Sequence, residues 1–597
     1  MLKTFLTRSC QALLFSGLLA CTHTAPKEQA HPMSEQTPAN PAFEAYSARF
    51  LEALWELEPD WALQVGYFKH LDKVKIPDAA YRKRVIQFTE EQLQALKQLD
   101  KATLSRSQQV DAQLIENFLE ASRWSLEKEQ SYAWNPAQYN ISPSIARLFE
   151  PNALSQEQRL RTALLYFKQA RPYYAAAKAA IKDPTLEHTR LALTQHQGLS
   201  AEWQRTYLSN AKKSALSKQE KAAFQRELNN AVAAVDDYRS FLKTLEKRLV
   251  KGPARSFRLA PELYRQKFAY ELGASLSADE VYAKALEARE RTLARMDELA
   301  QKLYPTYLPG QALASEPKQR IRAVLNVLAQ QHPDASRFRE TIAAQIPELE
   351  RFVREKDLVY LDPSKPLKVR DTPIYARGVA GASVDAPGPY AKGGETFYNV
   401  TPIAGESRET IASYLREYNN FTLQILNIHE AIPGHYTQLV HSNESPSLIK
   451  SILGNSTMIE GWAVYSERMM LEEGYGAQSP ELWLMYDKWH MRVILNTILD
   501  YEVHIKGLSA EAGLTMLTND GFQERAEAEE KWKRATLTQV QLASYFTGYS
   551  ELYALRNELK SLEAKEFSLR RFHDRFLSYG SAPVKYIREL MLAEPSH

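Results

Sequence analysis

Apolar residues recur every three or four positions along most of the chain, which is the spacing of amphipathic α-helices. In the first such segment Phe50, Leu54 and Leu57 fall on one helical face. The chain is therefore predicted to be mainly α. Before residue 358 the pattern predicts helices over Phe43–Leu63, Tyr81–Asp100, Ser105–Glu129, Gln156–Lys182, Leu186–Leu208, Lys218–Leu249, Ser277–Leu303, Pro317–Gln330 and Arg337–Lys356.

The helix that begins at Ser277 has clear signals at both ends. Ser277 is followed by acidic residues in the first turn, which is typical of a capped N-terminus. Pro305, Pro309 and Gly310 are predicted to end this helix.

The character of the chain changes at Leu358. Three short segments rich in β-branched and aromatic residues, Leu358–Leu361, Leu367–Arg370 and Thr396–Val400, predict one small sheet, with a loop over residues 380–389. The edge of such a sheet could hold an extended peptide as an added strand, or the sheet could be purely structural. The sequence leaves both interpretations open.

Helical patterns return after the sheet, over Glu406–Val440 and Trp483–His504. In the second of these, polar residues recur at four-residue spacing and end with Asp500 and His504. This row is either a solvated face that carries an ion pair, or a face on which Asp500 and His504 point into a cleft.

The N-terminus is typical of an export signal. Lys3 and Arg8 precede an apolar run, and residues 18–21 (Leu-Leu-Ala-Cys) resemble a lipobox. We predict a signal peptide over residues 1–20 and lipidation of Cys21; a plain secretory signal or a buried helix is the alternative. Residues 21–42 are polar and Pro-rich and are predicted to form a flexible tether.

The rest of the chain is interpreted as one two-lobed unit. It comprises a helical region over residues 43–357, the small sheet and its loop over 358–402, and a second helical region over 403–597. The composition is 44% hydrophobic and 25% charged, with a net charge of +3, which is ordinary for a globular protein. This near balance gives no sign of nucleic-acid binding, and the oligomeric state stays open.

The stretch from His429 to His435, HEAIPGH, is the strongest chemical signal. His429 and Glu430 resemble the start of the helical zinc motif HExxH, in which two imidazoles bind zinc and the glutamate acts on water. Here the second histidine is six positions on, and six residues turn a regular helix by about 600°, which separates the side chains. Pro433 and Gly434 supply a reason for a local deformation that brings the imidazoles together.

A carboxylate on a later apolar segment is expected to complete the site. Glu460 and Glu467 are seven positions apart, almost on one helical face. This spacing suits Glu460 as the third metal ligand and Glu467 as the partner that orients a ligating histidine. Two histidines and one glutamate leave a coordination position open for water, which is the catalytic arrangement of zinc.

The two segments HEAIPGH and EGWAVYSE together resemble the signatures of the bacterial domain of unknown function 885 (DUF885). That family resembles all-helical zinc metallopeptidases, distantly akin to neurolysin and carboxypeptidase Taq. The resemblance implies a mainly α fold with a deep cleft, and a small β-sheet just before the zinc-binding helix. It also implies zinc as cofactor and peptides as substrates.

The resemblance also bears on three residues outside the two signatures. It favours Asp500 and His504 in the cleft, with Asp500 supporting the site and His504 donating to the developing oxyanion. Tyr545 lies in a segment similar to the family's QAxSYxxG and is the other oxyanion candidate. The Pro-Gly that commonly precedes this segment is replaced by Gln539 and Val540, which leaves the turn before Tyr545 undefined.

These inferences lead to a zinc-dependent peptidase of the cell envelope, with Glu430 as general base. The protein is expected to be lipid-anchored, in the outer membrane facing the periplasm. Two alternatives stay open: a non-catalytic lipoprotein or binding module with a structural or inactive metal site, and a metal-dependent amidase or esterase acting on a non-peptide envelope component.

Overall fold

The computed structural model describes residues 39–150, 153–373, 381–391, 393–403 and 405–593. Most of these residues lie in α-helices, and one small sheet accompanies them, so the prediction of a mainly α fold is confirmed. The predicted signal peptide and the lipidation site at Cys21 lie outside the described residues. Among the residues described, no helix is long and apolar enough to cross a membrane.

The predicted helices of the first half are present, with small shifts at their ends. Four of these helices are preceded by a serine that caps the N-terminus with two reciprocal hydrogen bonds. The serine hydroxyl accepts from the backbone N–H of the third helical residue, and the Gln or Glu side chain of that residue accepts from the backbone N–H of the serine. The helices are α1 Pro41–Leu57, α2 Pro59–Gln64, α3 Ala79–Lys97, α4 Arg106–Trp124, α5 Ser131–Trp134, α6 Ser142–Leu148, α7 Gln156–Ala180, α8 Leu186–Gln195, α9 Leu199–Lys213 and α10 Lys218–Lys251.

The second half continues the helical pattern around the sheet. Its helices are α11 Pro261–Leu272, α12 Ala278–Tyr307, α13 Pro317–Leu328, α14 Phe338–Glu355, α15 Arg408–Glu417, α16 Asn420–Glu430, α17 His435–Asn443, α18 Leu448–Ile452, α19 Ser456–Glu472, α20 Pro480–Tyr501, α21 Ala510–Asn519, α22 Arg525–Leu537, α23 Ser544–Glu563, α24 Leu569–Ser578 and α25 Val584–Ala593.

Outside the motif segment, three predicted helices differ in the structure. The segment predicted as one helix over Phe43–Leu63 is divided into α1 and α2 at Glu58. The segment predicted as one helix over Leu186–Leu208 is divided into α8 and α9 at Gly198, whose φ of 75° lies in the left-handed region that glycine adopts without strain. Pro305 does not end its helix, because it lies in the last turn of α12 and the helix continues to Tyr307. A proline there removes a single intrahelical hydrogen bond.

The sheet comprises β1 Leu367–Asp371, β2 Ala382–Asp385 and β3 Thr396–Val400, in the order β1-β3-β2. In the centre Tyr398 of β3 lies opposite Val369 of parallel β1 and Val384 of antiparallel β2. Its position before the motif helix is as predicted.

Two details of the sheet were predicted wrongly. Leu358–Leu361 is not a strand, although Leu358, Val359 and Leu361 are buried. Residues 382–385, predicted as loop, form strand β2. In both cases the local composition was a poor guide because a strand exists only where a second strand supplies its hydrogen bonds.

Two clusters of buried apolar residues form the core. One is built mainly by α6–α10, where Tyr174 and Tyr238 stack with ring centroids 4.7 Å apart. The larger cluster includes α16, α17, α19, α20 and α23, the helices that carry the sequence motifs. The described residues from 39 onward belong to one compact unit.

Helices α19 and α23 touch backbone to backbone. A Cβ atom at Gly548 would overlap the carbonyl oxygen of Thr457, and one at Gly461 would overlap the backbone of Gly548. The atoms that a side chain would meet belong to the main chain, so no rotamer change can make room. The two glycines therefore set the distance between the helix with Glu460 and the helix with Tyr545.

We predict that Gly548→Ala lowers the free energy of unfolding by about 3 kcal/mol, because the added methyl group forces two packed helices apart. Urea unfolding followed by circular dichroism measures this change. Gly393→Ala is the control, since its Cβ would have no described atom within 4 Å, and it should change the free energy by less than about 1 kcal/mol. Equal effects of the two substitutions would contradict the proposed contact.

Candidate metal centre

The predicted motif helix is interrupted inside the motif. Helix α16 ends at Glu430 and α17 begins at His435. Over residues 431–434 the chain turns back: the N–H groups of Ala431 and Ile432 both donate to the carbonyl of Asn427, at 2.9 and 3.2 Å. The deformation predicted from Pro433 and Gly434 is therefore present, as a complete break.

Only glycine fits at the end of this break. A Cβ atom on Gly434 would overlap the carbonyl oxygens of Ile428 and His429, and the Gly434 N–H donates to the Ile428 carbonyl at 3.0 Å. The neighbouring carbonyl of Pro433 accepts a hydrogen bond from the indole of Trp462 in α19, at 2.8 Å. This hydrogen bond connects the break between α16 and α17 to α19, the helix that carries Glu460 and Glu467.

The break brings the two histidines together next to Glu460. Their ring centroids are 4.7 Å apart and the rings are almost perpendicular. Oε2 of Glu460 lies 3.7 Å from Nε2 of His429 and 3.3 Å from Nε2 of His435. Donor atoms on a tetrahedral zinc ion with bonds of about 2.1 Å are about 3.4 Å apart, so these separations suit a shared ion.

The chemistry of these donors also fits a metal. Oε2 of Glu460 is buried and has no hydrogen-bond partner among the described residues, although it lies closest to both imidazoles. One donor atom from each of His429, His435 and Glu460 lies within 4.8 Å of the others, and the described residues contain no other such group of His, Cys, Asp and Glu. Two imidazoles and a carboxylate with no thiolate are the set that catalytic zinc prefers.

Glu467 holds one of these histidines in the orientation that a ligand needs. Its Oε1 lies 2.6 Å from Nδ1 of His429 and accepts a hydrogen bond from the Trp489 indole at 3.0 Å. A proton held on Nδ1 leaves the Nε2 lone pair free to bind a metal. Trp489 is a part of the site that sequence analysis missed, since it lies on an apolar helix and its role depends on the position of Glu467.

The candidate site is strongly polarised. Burial alone would lower the pKa of His429, but its contacts with Glu460 and Glu467 outweigh burial and raise this pKa to about 10. Burial opposes a charge on Glu460, yet the two imidazoles hold its pKa below the ordinary value. Burial raises the pKa of Glu467. A concentration of opposite charges in a buried place is typical of functional sites.

Glu430, the predicted base, is the last residue of α16 and is half-buried. Its carboxylate has no hydrogen-bond partner among the described residues. The sheet supports this end of the helix, because the hydroxyl of buried Tyr398 donates to Oδ1 of Asn427 at 2.9 Å. The pKa of Tyr398 is raised, mainly by burial and to a smaller extent by the negative charge of Glu430.

The pKa of Tyr545 is influenced by the negative charge of the proposed metal ligand Glu460. Burial and then the carboxylate of Glu460 raise the pKa of Tyr545 to about 12, so its hydroxyl keeps its proton at neutral pH. Arg534 donates to this hydroxyl at 2.9 Å. The role of Tyr545 as a donor to the oxyanion stays a prediction.

The structure does not fit the predicted oxyanion role of His504. Its Nε2 lies 3.1 Å from the carbonyl of Ala535, its Nδ1 accepts from the Leu259 N–H at 3.4 Å, and its ring stacks on Tyr264. Both nitrogens are engaged in the core, and burial lowers the pKa of His504 to about 4. No N–H is left to donate to a substrate.

Asp500 has a different role from the one predicted. Its Oδ2 accepts from the Tyr264 hydroxyl at 2.6 Å and from the Val540 N–H at 2.9 Å, and among the described residues it has no contact with the metal donors. Val540 has a φ of 74°, a strained value for a β-branched residue. It stands where the family commonly has glycine, and Asp500 stabilises this turn just before the helix of Tyr545.

The comparison with known proteins agrees with the motifs. Residues 59–591 match the family described as "Bacterial protein of unknown function (DUF885)", and the chain belongs to this family. The resemblance predicted from the sequence is confirmed. No curated protein shows a significant match to the chain.

Two solved structures share the fold. One from Shewanella oneidensis, described as "a putative lipoprotein of unknown function", is 47% identical, with a TM-score of 0.82, and the match covers 92% of this chain and 99% of that chain. Another from Colwellia psychrerythraea, described as "the putative lipoprotein", is 17% identical, with a TM-score of 0.74, and the match again covers 92% of this chain and 99% of that chain. At this low identity the match supports only the fold. Neither description names an activity, so the likeness to metallopeptidases stays a prediction.

We predict that Asp500→Asn removes a pH-dependent loss of stability. Burial raises the pKa of Asp500 to about 7 from 3.8, so the folded state binds this proton more tightly and loses stability as the pH rises from 4 to 7. The stability of wild type relative to the variant should fall by up to about 4 kcal/mol over this range. Urea unfolding near pH 4 and near pH 7 measures it.

The surface residue Asp72 offers a control, because Asp72→Asn should leave the pH profile of wild type unchanged. Parallel profiles for wild type and Asp500→Asn would mean that Asp500 does not titrate in this range.

Proposed function

We propose that this protein is a zinc-dependent peptidase. One observation carries the proposal: His429, His435 and Glu460 direct one donor atom each to a common point, with Glu430 next to them on the chain. This is the donor set of a hydrolytic metal with a base beside it. A purely structural zinc site would be expected to have a fourth protein ligand.

In this proposal His429, His435 and Glu460 would hold the ion. When bound, zinc supplies Lewis acidity toward a water molecule and a peptide carbonyl. Glu430 takes a proton from the attacking water and passes it to the leaving amine. Its lack of a described partner leaves the carboxylate available for both transfers.

Two further groups would support the reaction. Tyr545 keeps its hydroxyl proton at neutral pH and donates it as a hydrogen bond to the oxygen on which negative charge develops. Glu467 keeps the Nδ1 proton of His429 in place, so that the ring stays a ligand.

We place this activity in the cell envelope. The lipobox-like residues 18–21 support a lipid anchor at Cys21, and the structure from Shewanella oneidensis, 47% identical to this chain, is described as a lipoprotein of unknown function. With the residues between Cys21 and helix α1 as a tether, the folded unit would act on peptides near the membrane, in our proposal the outer membrane from its periplasmic side.

A mixed peptide library tests the proposal. The zinc-loaded protein is incubated with the library, with and without a chelator, and the products are identified by mass spectrometry. Chelator-sensitive cleavage supports the peptidase. Cleavage of cell-wall fragments alone would instead indicate the amidase, and a protein that binds zinc but cleaves neither substrate would be a non-catalytic lipoprotein.

We predict that Glu430→Gln keeps the bound zinc and lowers kcat by at least about a hundredfold, because the amide cannot accept the proton of the attacking water. Metal analysis and peptide turnover are measured on the same sample. Turnover near the wild-type value in a zinc-loaded variant would refute the assignment of Glu430 as base.

We also predict that Glu467→Gln weakens zinc binding about 10- to 100-fold, because it removes the charge that orients His429. Trp489→Phe, which removes one donor to Glu467, should have a smaller effect in the same direction. Competition with a chromophoric chelator measures both affinities. Glu473→Gln, at the end of the same helix, is the control, and an effect as large as that of Glu467→Gln would contradict the prediction.

A further inference from the structure

A second group of charges lies beside the proposed zinc site. Helix α20 is buried from Leu484 to Tyr501 except at Trp489 and Arg492, which lie one turn apart. The Arg492 guanidinium lies over the Trp489 ring, 4.9 Å from its centroid, and the ring centroid of His429 lies 6.5 Å from the same indole. Trp489 therefore adjoins both Arg492 and one of the proposed metal ligands.

Helix α22 contributes two more cations to this place. Lys531 is only 4% exposed, and burial together with the charge of Arg492 lowers its pKa well below the usual range. Arg534 donates to the neutral groups Gln541 and Tyr545, at 2.8 and 2.9 Å. Arg534 is thereby hydrogen-bonded to the tyrosine whose pKa the Glu460 carboxylate helps to raise.

The carboxylates around this group are already engaged. Glu417 pairs with Lys488 at 2.8 Å, and Glu527 pairs with Arg492 at 2.5 Å. Glu524 pairs with Arg416 at 2.8 Å.

Nitrogen donors without a carboxylate partner are left over after this pairing. Among the described residues neither Lys531 nor Arg534 has a carboxylate partner. Nη1 of Arg492 is buried without a hydrogen bond, and it lies 3.9 Å from the carboxylate of Glu417.

Burying a cation without a partner is unfavourable, so a purely structural cluster would be expected to pair it or replace it with an apolar residue. The imbalance makes sense if an anion arrives from outside. In the cleft of a peptidase, the anions that a peptide itself carries are carboxylates, and guanidinium and ammonium groups bind them through charge-assisted hydrogen bonds.

We propose that Arg492, Lys531 and Arg534 form a subsite that binds a carboxylate of the peptide substrate next to the scissile bond. This inference rests on the proposed peptidase function. The carboxylate is either the free C-terminus, which would make the enzyme a carboxypeptidase, or an acidic side chain near the cleaved bond. Both sources share the same chemistry, and the experiment separates them.

Lys531→Met is the decisive variant. It removes a buried amine that has no described partner, and methionine occupies a similar volume, so the protein should stay folded and at least as stable. Lys533→Met is the matched control, because Lys533 is on the same helix with a side chain that is 54% exposed.

Three forms of one susceptible peptide serve as substrates: one with a free C-terminus, one with a C-terminal amide, and one with its acidic side chains changed to amides. We expect wild type to lose at least about tenfold in kcat/KM on one of the two neutralised peptides, which identifies the carboxylate that is bound. Lys531→Met should cleave that neutralised peptide and its charged parent at similar rates, while Lys533→Met keeps the wild-type preference. Equal rates on all three peptides for wild type, or an unchanged preference in Lys531→Met, would overturn the proposal.

Binding without turnover separates this proposal from the peptidase function. Fluorescence anisotropy of the labelled peptides is measured with zinc-loaded Glu430→Gln, alone and combined with Lys531→Met. Tighter binding of the charged peptide that disappears with Lys531→Met supports the subsite even if wild type cleaves no peptide. Absence of any charge preference in both cleavage and binding refutes the subsite, whatever the catalytic activity.

A proton measurement gives a further readout. Because the pKa of Lys531 is lowered in the free protein, a bound carboxylate should raise it and draw in a proton. Isothermal titration in buffers of different ionisation enthalpy should show proton uptake with Glu430→Gln and less uptake when Lys531→Met is added. Identical uptake in the two proteins would contradict the assignment of Lys531 to the subsite.

Discussion

The candidate site depends on one steric constraint, the approach of the Gly434 backbone to the carbonyl oxygens of the helix before it. This contact leaves no room for a side chain and ends one helix where the next begins. If α16 continued regularly, the second imidazole would point about 120° away from the first, since each residue turns the helix by about 100°. Because the helix is broken, the imidazoles of His429 and His435 both face the carboxylate of Glu460 despite their six-residue spacing.

A series of contacts then holds the break in place from the carboxylate side. Trp462 binds the Pro433 carbonyl, and Glu467 binds His429, and both belong to α19. Helix α19 is itself packed against α23 through Gly461 and Gly548. Buried hydrogen bonds and close packing of this kind place side chains to within fractions of an ångström, which both metal binding and proton transfer require.

The charges at the metal donors are balanced, whereas those of the neighbouring basic cluster are not. On the donor side, two carboxylates and two imidazoles compensate each other in a buried place. Around Arg492 and helix α22, basic side chains exceed the carboxylates that pair with them. A peptide with its own negative charge would meet a surplus of positive charge next to the groups proposed to cleave it. The same arrangement would use electrostatics for orientation as much as for affinity.

Several features could be predicted from residues near each other in the chain. Helical periodicity predicted most helices, and a serine cap predicted the start of the helix at Ser277, since these depend on one apolar face and on local hydrogen bonds. The local pattern misled where the outcome depended on distant partners. Leu358–Leu361 has the composition of a strand but finds no strand to pair with among the described residues, while residues 382–385 find β3.

The candidate site divides in the same way. The sequence by itself determined that His429, Glu430, His435, Glu460 and Glu467 belong together, because residue type, spacing and a Pro-Gly break are local properties. Only the tertiary structure decided that Asp500 stabilises the turn at Val540, that both nitrogens of His504 are used in the core, and that the Trp489 indole donates to Glu467. These roles depend on distances between helices far apart in the chain, and such distances follow from packing of the whole core and not from any local pattern.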